Sequence, residues 1–347
     1  MMREQVQMLP AAEPESLRMA AEVIRSGGLV AFPTETVYGL GADAFNPQAI
    51  ARIFEVKNRP TFDPLIVHIA DLAALDRLVA SVTPWARRLI EQFWPGPLTL
   101  VLPKRAEVPD LVTAGLPTVA VRMPAHPSAQ ALIREAGTPI AAPSANRFGY
   151  VSPTSAQHVL DGLGDQVDLI LDGGPCPIGV ESTIVSLIGA WPELLRPGSV
   201  TLAEIREVIG PFVRASAGQA VVAPGQLPRH YATRTPLSIL PVHGTLPRLS
   251  DDVRAGLLAF SALAHLGGYR AVEVLSPSGD LRVAAQNLFA ALRRLDALGL
   301  DHLYVEPCEE HGIGVAIMDR LRRCAAPPMA AEPSVLGEHR GARIGTG

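Results

Sequence analysis

Lysine is almost missing from this chain. Only Lys57 and Lys104 occur, and the other 28 basic residues are arginines. A GC-rich genome accounts for that bias in bulk, so each remaining lysine marks a place where arginine would serve less well. Cysteine is scarce as well. Cys176, Cys308 and Cys324 are odd in number and show no CxxC spacing, which excludes a zinc ribbon and a disulfide framework. There is no basic excess: 30 basic residues face 34 acidic ones, a balance that argues against a constitutive nucleic-acid binder. Aromatic residues make up 5% of the chain and form no stacking patch suited to splayed bases. No apolar run is long enough to span a bilayer, and no signal-peptide core opens the sequence. Neither a GKS or GKT phosphate loop nor a GxGxxG fingerprint is present. These absences set the expectation of a soluble protein in a reducing, cytoplasmic setting.

What is present is globular. The chain has 347 residues, 48% hydrophobic and 18% charged, enough for about two domains with real cores. Strand and helix patterns alternate through residues 1–210. "PESLRMAAEVIRS", "NPQAIARIFEVKN" and "TPWARRLIEQFW" read as helices, with Asn46 and Thr83 as caps. "LVAFP", "PLIVHIA", "LTLVLP", "TVAVRMP", "PIAAPSA", "VDLILDGG" and "STIVSLIG" read as strands. The fold class expected is α/β: a large domain with a twisted mixed sheet over 1–210, then a smaller Rossmann-like three-layer α/β domain over 237–326. Between them, 211–236 lacks periodicity and reads as a linker long enough to act as a lid. Residues 327–347 are polar and Gly-rich, and are expected to be a disordered tail.

Three clusters carry chemistry. In "PTETVYGLG" and "KNRPTFDPLIVHI", Thr34, Glu35, Thr36 and Tyr38 supply short polar groups, while Gly39 and Gly41 would let backbone approach a ligand. Lys57 and Arg59 suit a polyanion, or simply complement a helix C-terminus. His68 has apolar neighbours. In "TVAVRMP" and "AAPSANRFG", Arg122 interrupts an apolar strand, so it should meet an anion, either a carboxylate side chain or a ligand. Ser144 and Asn146 stand at a strand's C-terminal end, where α/β sheets favour ligands, although turn chemistry alone also suits them. In "DGGPCPIGVESTIV" and "LLRPG", backbone amides, Glu181, Ser182, Thr183 and Arg196 come together, with Cys176 read as packing.

In this order the three clusters, with "RHY" in the linker and a second α/β domain, resemble the YrdC-like family in its two-domain form over about residues 14 to 325. The resemblance implies an L-threonylcarbamoyladenylate synthase, a nucleotidyltransferase serving threonylcarbamoyladenosine formation in tRNA. Such enzymes join L-threonine, bicarbonate or CO2, and ATP, and release pyrophosphate. It implies that Thr36, His68, Arg122, Ala142 and Ser182 surround threonine. Arg59, Asp63, Thr118, Ser144, Ser152, Arg196 and Tyr231 would contact ATP, with Lys57 aimed at phosphate and Asn146 in the same pocket. The family often has Asn where this chain has Asp63, and an aspartate would repel a triphosphate unless it turns away or helps hold Mg²⁺. Mg²⁺ is expected to arrive with ATP, with no protein ligand set of its own. Lys57, Arg59 and Arg122 are the residues expected to carry catalysis. The product is expected to pass to a tRNA threonylcarbamoyl transferase complex, with no membrane and no strong direct nucleic-acid binding. Two competing readings are an RNA-binding module of the same fold, and carbamoyl transfer to another acceptor, as in hydrogenase-maturation relatives with extra acylphosphatase and zinc-finger segments.

Overall fold

A computed structural model describes residues 6–211, 213–214, 223–227, 230–242, 249–250, 252–262 and 268–327. The tail expected from 327 lies almost wholly outside the described residues, as do 212, 215–222 and 228–229 of the expected lid.

The fold is α/β, as the sequence indicates. Among the described residues, eleven strands form one sheet in the order β1 (Gln7–Pro10), β8 (Leu169–Asp172), β2 (Val30–Phe32), β3 (Gly39–Asp43), β7 (Ile140–Ala141), β4 (Ile66–His68), β6 (Thr118–Arg122), β5 (Leu98–Pro103), β9 (Thr183–Ser186), β10 (Glu193–Arg196) and β11 (Val213–Arg214). The sheet is mixed: β4 runs parallel to β6, whereas β2, β3 and β7 alternate in direction. Its helices are α1 (Pro14–Arg25), α2 (Pro47–Lys57), α3 (Pro84–Phe93), α4 (Asp110–Thr113), α5 (Pro127–Ala136), α6 (Ala156–Leu163) and α7 (Leu202–Ile209). They cover both faces. Leu29 and Ala31 enter one core cluster, with Ile50 and Ile53 of α2 and Leu89 of α3. Val30 and Phe32 enter another, with Ala20 and Ile24 of α1 and Leu132 of α5. That split is the period-two alternation of a strand buried on both sides.

Helix ends follow the sequence rules. Asn46 accepts from the amides of Gln48 and Ala49, and Thr83 accepts from Ala86. Four strands are absent from the sequence reading, one of them the two-residue β11 inside the expected linker. β3 is "GLGAD", with none of the β-branched residues that advertise strands, and β1 and β10 are only four residues long. Gly41 also departs from its expected role. A Cβ there would stand 2.8 Å from Ile140 and from the ring of Phe32, so the glycine makes room for core packing rather than for a ligand.

The second sheet is small and fully parallel, in the order β12 (Leu237–Ile239), β15 (His302–Val305), β13 (Ala255–Ala259), β14 (Ala271–Val274). Helices α8 (Leu281–Asp296) and α9 (Gly314–Ala325) pack on it and on each other. Its core does not stop at the sheet. Val37, Val151, Val180 and Tyr231 share one apolar cluster with Leu288, Phe289, Leu292 and Ile317.

Candidate active site

The C-terminal ends of β4 and β6, the turn after β2 and the turn after β7 converge on one pocket. Its wall includes Thr34, Thr36, Arg59, His68, Arg122, Ala142, Ser144, Glu181, Ser182, Arg196, Pro224, Gly225, His230 and Tyr231. Chain topology brings these residues together: β4 and β6 are parallel and in register, so His68 lies directly beside Arg122.

Arg122 meets a carboxylate side chain. Its Nη2 is 2.5 Å from Glu35 Oε1. Nη1 donates to the Thr36 hydroxyl at 2.9 Å, and Nε donates to the Gly96 carbonyl at 3.2 Å. Burial would raise the Glu35 carboxyl, but the adjoining guanidinium overrides it and holds the group below its ordinary range. A guanidinium has five N–H donors, so two remain for a ligand. His68 is buried, set edge-on to the Phe32 ring at 6.1 Å, and its Nδ1 has no hydrogen-bond partner. Burial, then the charge of Arg122, pull its pKa down to about 3, so the imidazole is neutral.

Two more arginines face the same space. Arg59 donates to the carbonyls of Asp63 (3.1 Å) and Pro64 (2.8 Å). Arg196 donates to the carbonyl and hydroxyl of Ser182, both at 3.1 Å, and to the Pro224 carbonyl at 3.3 Å. Burial lowers the pKa of both, against the opposing pull of Asp63 on Arg59 and of Glu181 on Arg196. Gly225 has φ +79°, and a Cβ there would stand 2.9 Å from the Tyr231 hydroxyl and 3.1 Å from Arg196, so only glycine fits. Tyr231 itself has φ +64°, a left-handed conformation that aromatic residues seldom adopt. Its hydroxyl and His230 Nδ1 are buried without hydrogen-bond partners.

Five residues assigned to the pocket from the sequence stand outside its wall. Lys57 is 1% exposed and its ammonium donates to the carbonyls of Ser144 (2.5 Å) and Asn146. It pins the turn after β7 instead of pointing at phosphate, and burial, then the neighbouring charge of Arg59, push its pKa well down. Asp63 is fully buried and lies 2.9 Å from Arg59 Nη2, so it turns away from the cavity. Asn146 donates to the carbonyls of Arg147 and Tyr150. The Ser152 hydroxyl donates to Glu181 at 2.5 Å. Thr118 opens β6, half-buried opposite Pro103. Cys176 is buried and its thiol is pushed up to about 12 by burial, as packing requires and a nucleophile forbids.

Sequence reasoning missed the partners. Glu35 and Glu181 sit within quoted motifs, yet their pairing with arginine is tertiary. Arg320 was assigned no part, although it is 1% exposed and bound to Glu181 at 2.8 Å. A signal existed: α9 buries Ala316, Ile317, Leu321 and Cys324, and Arg320 falls on that stripe. Among the described residues no cluster of His, Cys, Asp or Glu is suited to a metal ion, and no helix is long and apolar enough to cross a membrane.

Comparison with known proteins identifies the family. A family model described as telomere recombination, the Sua5/YciO/YrdC model, matches residues 22–198. A second, described as threonylcarbamoyl-AMP synthase, C-terminal domain, matches residues 200–326. Threonylcarbamoyl-AMP synthase of Pyrococcus abyssi is 45% identical over 324 residues, which is 90% of this chain and 95% of that one. The Bacillus subtilis enzyme of the same name is 43% identical, over 89% of this chain and 92% of its own. The crystal structure of P. abyssi Sua5 complexed with L-threonine superimposes with a TM-score of 0.84 at 42% identity, covering 92% of this chain and 97% of that one. The chain therefore belongs to the Sua5/YciO/YrdC family, in the two-domain form that carries the threonylcarbamoyl-AMP synthase C-terminal domain.

Proposed function

We propose that this chain is a threonylcarbamoyl-AMP synthase, a nucleotidyltransferase that joins L-threonine, bicarbonate or CO2, and MgATP and releases pyrophosphate. One observation carries the reading. Three buried arginines face a single pocket in which His68, His230 and Tyr231 each hold a buried polar atom without a partner. Buried polar groups are normally satisfied, so these atoms await a polar, anionic ligand. The names of the relatives supply its identity.

In this reading the two spare N–H groups of Arg122 take the threonine carboxylate as a fork. Thr36, neutral His68, Ala142 and Ser182 surround the rest of the amino acid. The threonine amine attacks the carbon of CO2, releasing a proton, or of bicarbonate, expelling water, to form a carbamate. A carbamate oxygen then attacks the α-phosphorus, and the bond to pyrophosphate breaks. Arg59 and Arg196 offset the phosphate charge, with Ser144 and Tyr231 beside the nucleotide. Lys57, Asp63, Asn146 and Ser152 fix that wall from behind. No nucleophile of the chain is needed, so catalysis rests on positioning and charge stabilisation. Mg²⁺ enters as part of MgATP, held by phosphate oxygens and water. The carboxylates nearest the pocket are already engaged with arginines, which suits this arrangement.

Pro224, Gly225, His230 and Tyr231 line the pocket from the connecting segment, which supports the lid reading: closure would exclude water from the carbamate and the mixed anhydride. The anhydride is short-lived, so the reading places the protein in the cytoplasm beside an enzyme that transfers the threonylcarbamoyl group to tRNA. The test is pyrophosphate release from MgATP with threonine and bicarbonate supplied singly and together. Release is expected only with both, and equal turnover without threonine would refute the assignment.

A further inference from the structure

The wall of the pocket is held from outside the large domain. Residues 150–152 and 179–182 both lean on the small domain. Tyr150 donates its hydroxyl to Asp296 at 2.7 Å. Arg293 of α8 donates to the carbonyls of Val151 at 2.5 Å and Ser152 at 3.3 Å. Gly179, at φ +83°, lies so close to α8 that a Cβ would stand 2.4 Å from the Ala285 carbonyl oxygen. Arg320 of α9 then reaches Glu181. Its Nε donates to Oε2 at 2.8 Å, and its Nη1 donates to the Pro197 carbonyl at 2.9 Å and to Asp319 at 2.7 Å. The other oxygen of Glu181 accepts from Ser152. The guanidinium of Arg320 also lies 5.3 Å from the ring centroid of Tyr231, and Phe289 of α8 stacks on the same ring at 5.5 Å. Tyr231, whose backbone is strained, thus has two small-domain side chains against its ring.

Resting on the functional reading above, we propose that Arg320 is a positioning residue of the reaction: it fixes Glu181 and the Tyr231 ring, so that the small domain completes the nucleotide side of the pocket. Arg320 does not line the pocket. It acts through residues that do. Glu181 is adjacent to Ser182, which Arg196 holds from the other side, so a shift of Glu181 moves the contacts of Arg196 as well. A buried charge stripped of its partner relocates or takes up a proton. The groups acting on Glu181 are Arg320 on α9, Arg196 on β10, the Ser152 hydroxyl ahead of α6, and Tyr231 ahead of β12, while Asp319 on α9 pairs with Arg320. Loss of Arg320 leaves Arg196 as the sole cation among them.

The experiment uses the full chain and steady-state pyrophosphate release. Arg320→Gln removes the charge, Arg320→Lys keeps it without the fork, and Glu181→Gln with Arg320→Gln removes the pair together. Melting temperature checks folding, and where Arg320→Gln alone fails to fold, Arg320→Lys and the double variant carry the test. Arg320→Gln is expected to raise KM for MgATP about ten- to a hundredfold, the weight of one charge-assisted hydrogen bond, while KM for threonine moves less than threefold. The acid limb of its kcat/KM profile is expected to move to higher pH as Glu181 takes up a proton. Arg320→Lys is expected to recover part of the loss and of the acid limb. The double variant should lose no more than Arg320→Gln and should lack the shifted limb. A folded variant with unchanged KM for MgATP and an unmoved profile would overturn the proposal, as would additive losses in the double variant. A wild-type chain without threonine-dependent release would instead overturn the functional reading, and this inference with it.

Discussion

Replacing Arg122 by lysine isolates what a guanidinium fork does in this pocket. Arg122 is 3% exposed and spends three donors on Glu35, Thr36 and Gly96. Two donors remain, which the proposed function assigns to the threonine carboxylate. A lysine brings three donors on one nitrogen, which cannot reach Glu35, Thr36, Gly96 and a ligand at once. The charge next to Glu35 survives, so the heavy cost of an unpaired buried carboxylate, about 3–5 kcal/mol, is avoided and the variant is expected to fold. What is lost is the second charge-assisted hydrogen bond to the ligand, about 1.5–3 kcal/mol. The threonine Kd should therefore rise about ten- to a hundredfold. Arg59 and Arg196 are untouched, so affinity for a non-hydrolysable MgATP analogue should stay within about threefold. Titration calorimetry with each ligand measures both. A folded Arg122→Lys chain with unchanged threonine affinity, or with equal losses for both ligands, would refute the assignment of Arg122 to the carboxylate.

Two further predictions address the frame around the site. His68 binds its proton only near pH 3 when folded but near 6.5 when unfolded, so the unfolded chain holds the extra proton between those values and stability falls as pH drops below about 6.5. Between pH 6.5 and 5 this group contributes a loss of about 2 kcal/mol, and His68→Asn should flatten the denaturant midpoint over that range by a matching amount; parallel curves for the two proteins would count against it. Gly179→Ala forces a Cβ into the backbone of α8 from a left-handed conformation, which should cost about 2 kcal/mol or more and expose the joint between the sheets to limited proteolysis; an unaltered melt and digestion pattern would show that the contact yields.

The elements that sequence reasoning found are those whose signals are local. Asn46 and Thr83 announce helix starts because a cap is made within four residues, and Val30–Phe32 announces a buried strand because its apolar run is continuous. Gly39–Asp43 was missed because its strand is dictated by the neighbours it packs on, Phe32 and Ile140, rather than by its own side chains. The same division separates the site residues. Arg122 was legible because a charge inside an apolar strand must find an anion, and that argument needs no partner to be named. Which anion it finds, Glu35, is a matter of the turn after β2 meeting the end of β6.

The sequence by itself determined the fold class, the family and the set of polar residues that gather near one pocket, because motif order, periodicity and capping are written along the chain. Tertiary structure decided which of those residues face the pocket and which stand behind it. Lys57 and Asp63 have the chemistry of a phosphate site, yet both are turned inward. The lysine satisfies two carbonyls, and the aspartate pairs with Arg59. Arg320 sits far from any site motif, yet it grips Glu181 because α9 packs against the loop between β8 and β9. Buried polar atoms must be partnered, and the partner is chosen by which surfaces meet. That choice is made by packing between distant segments, which no local pattern records.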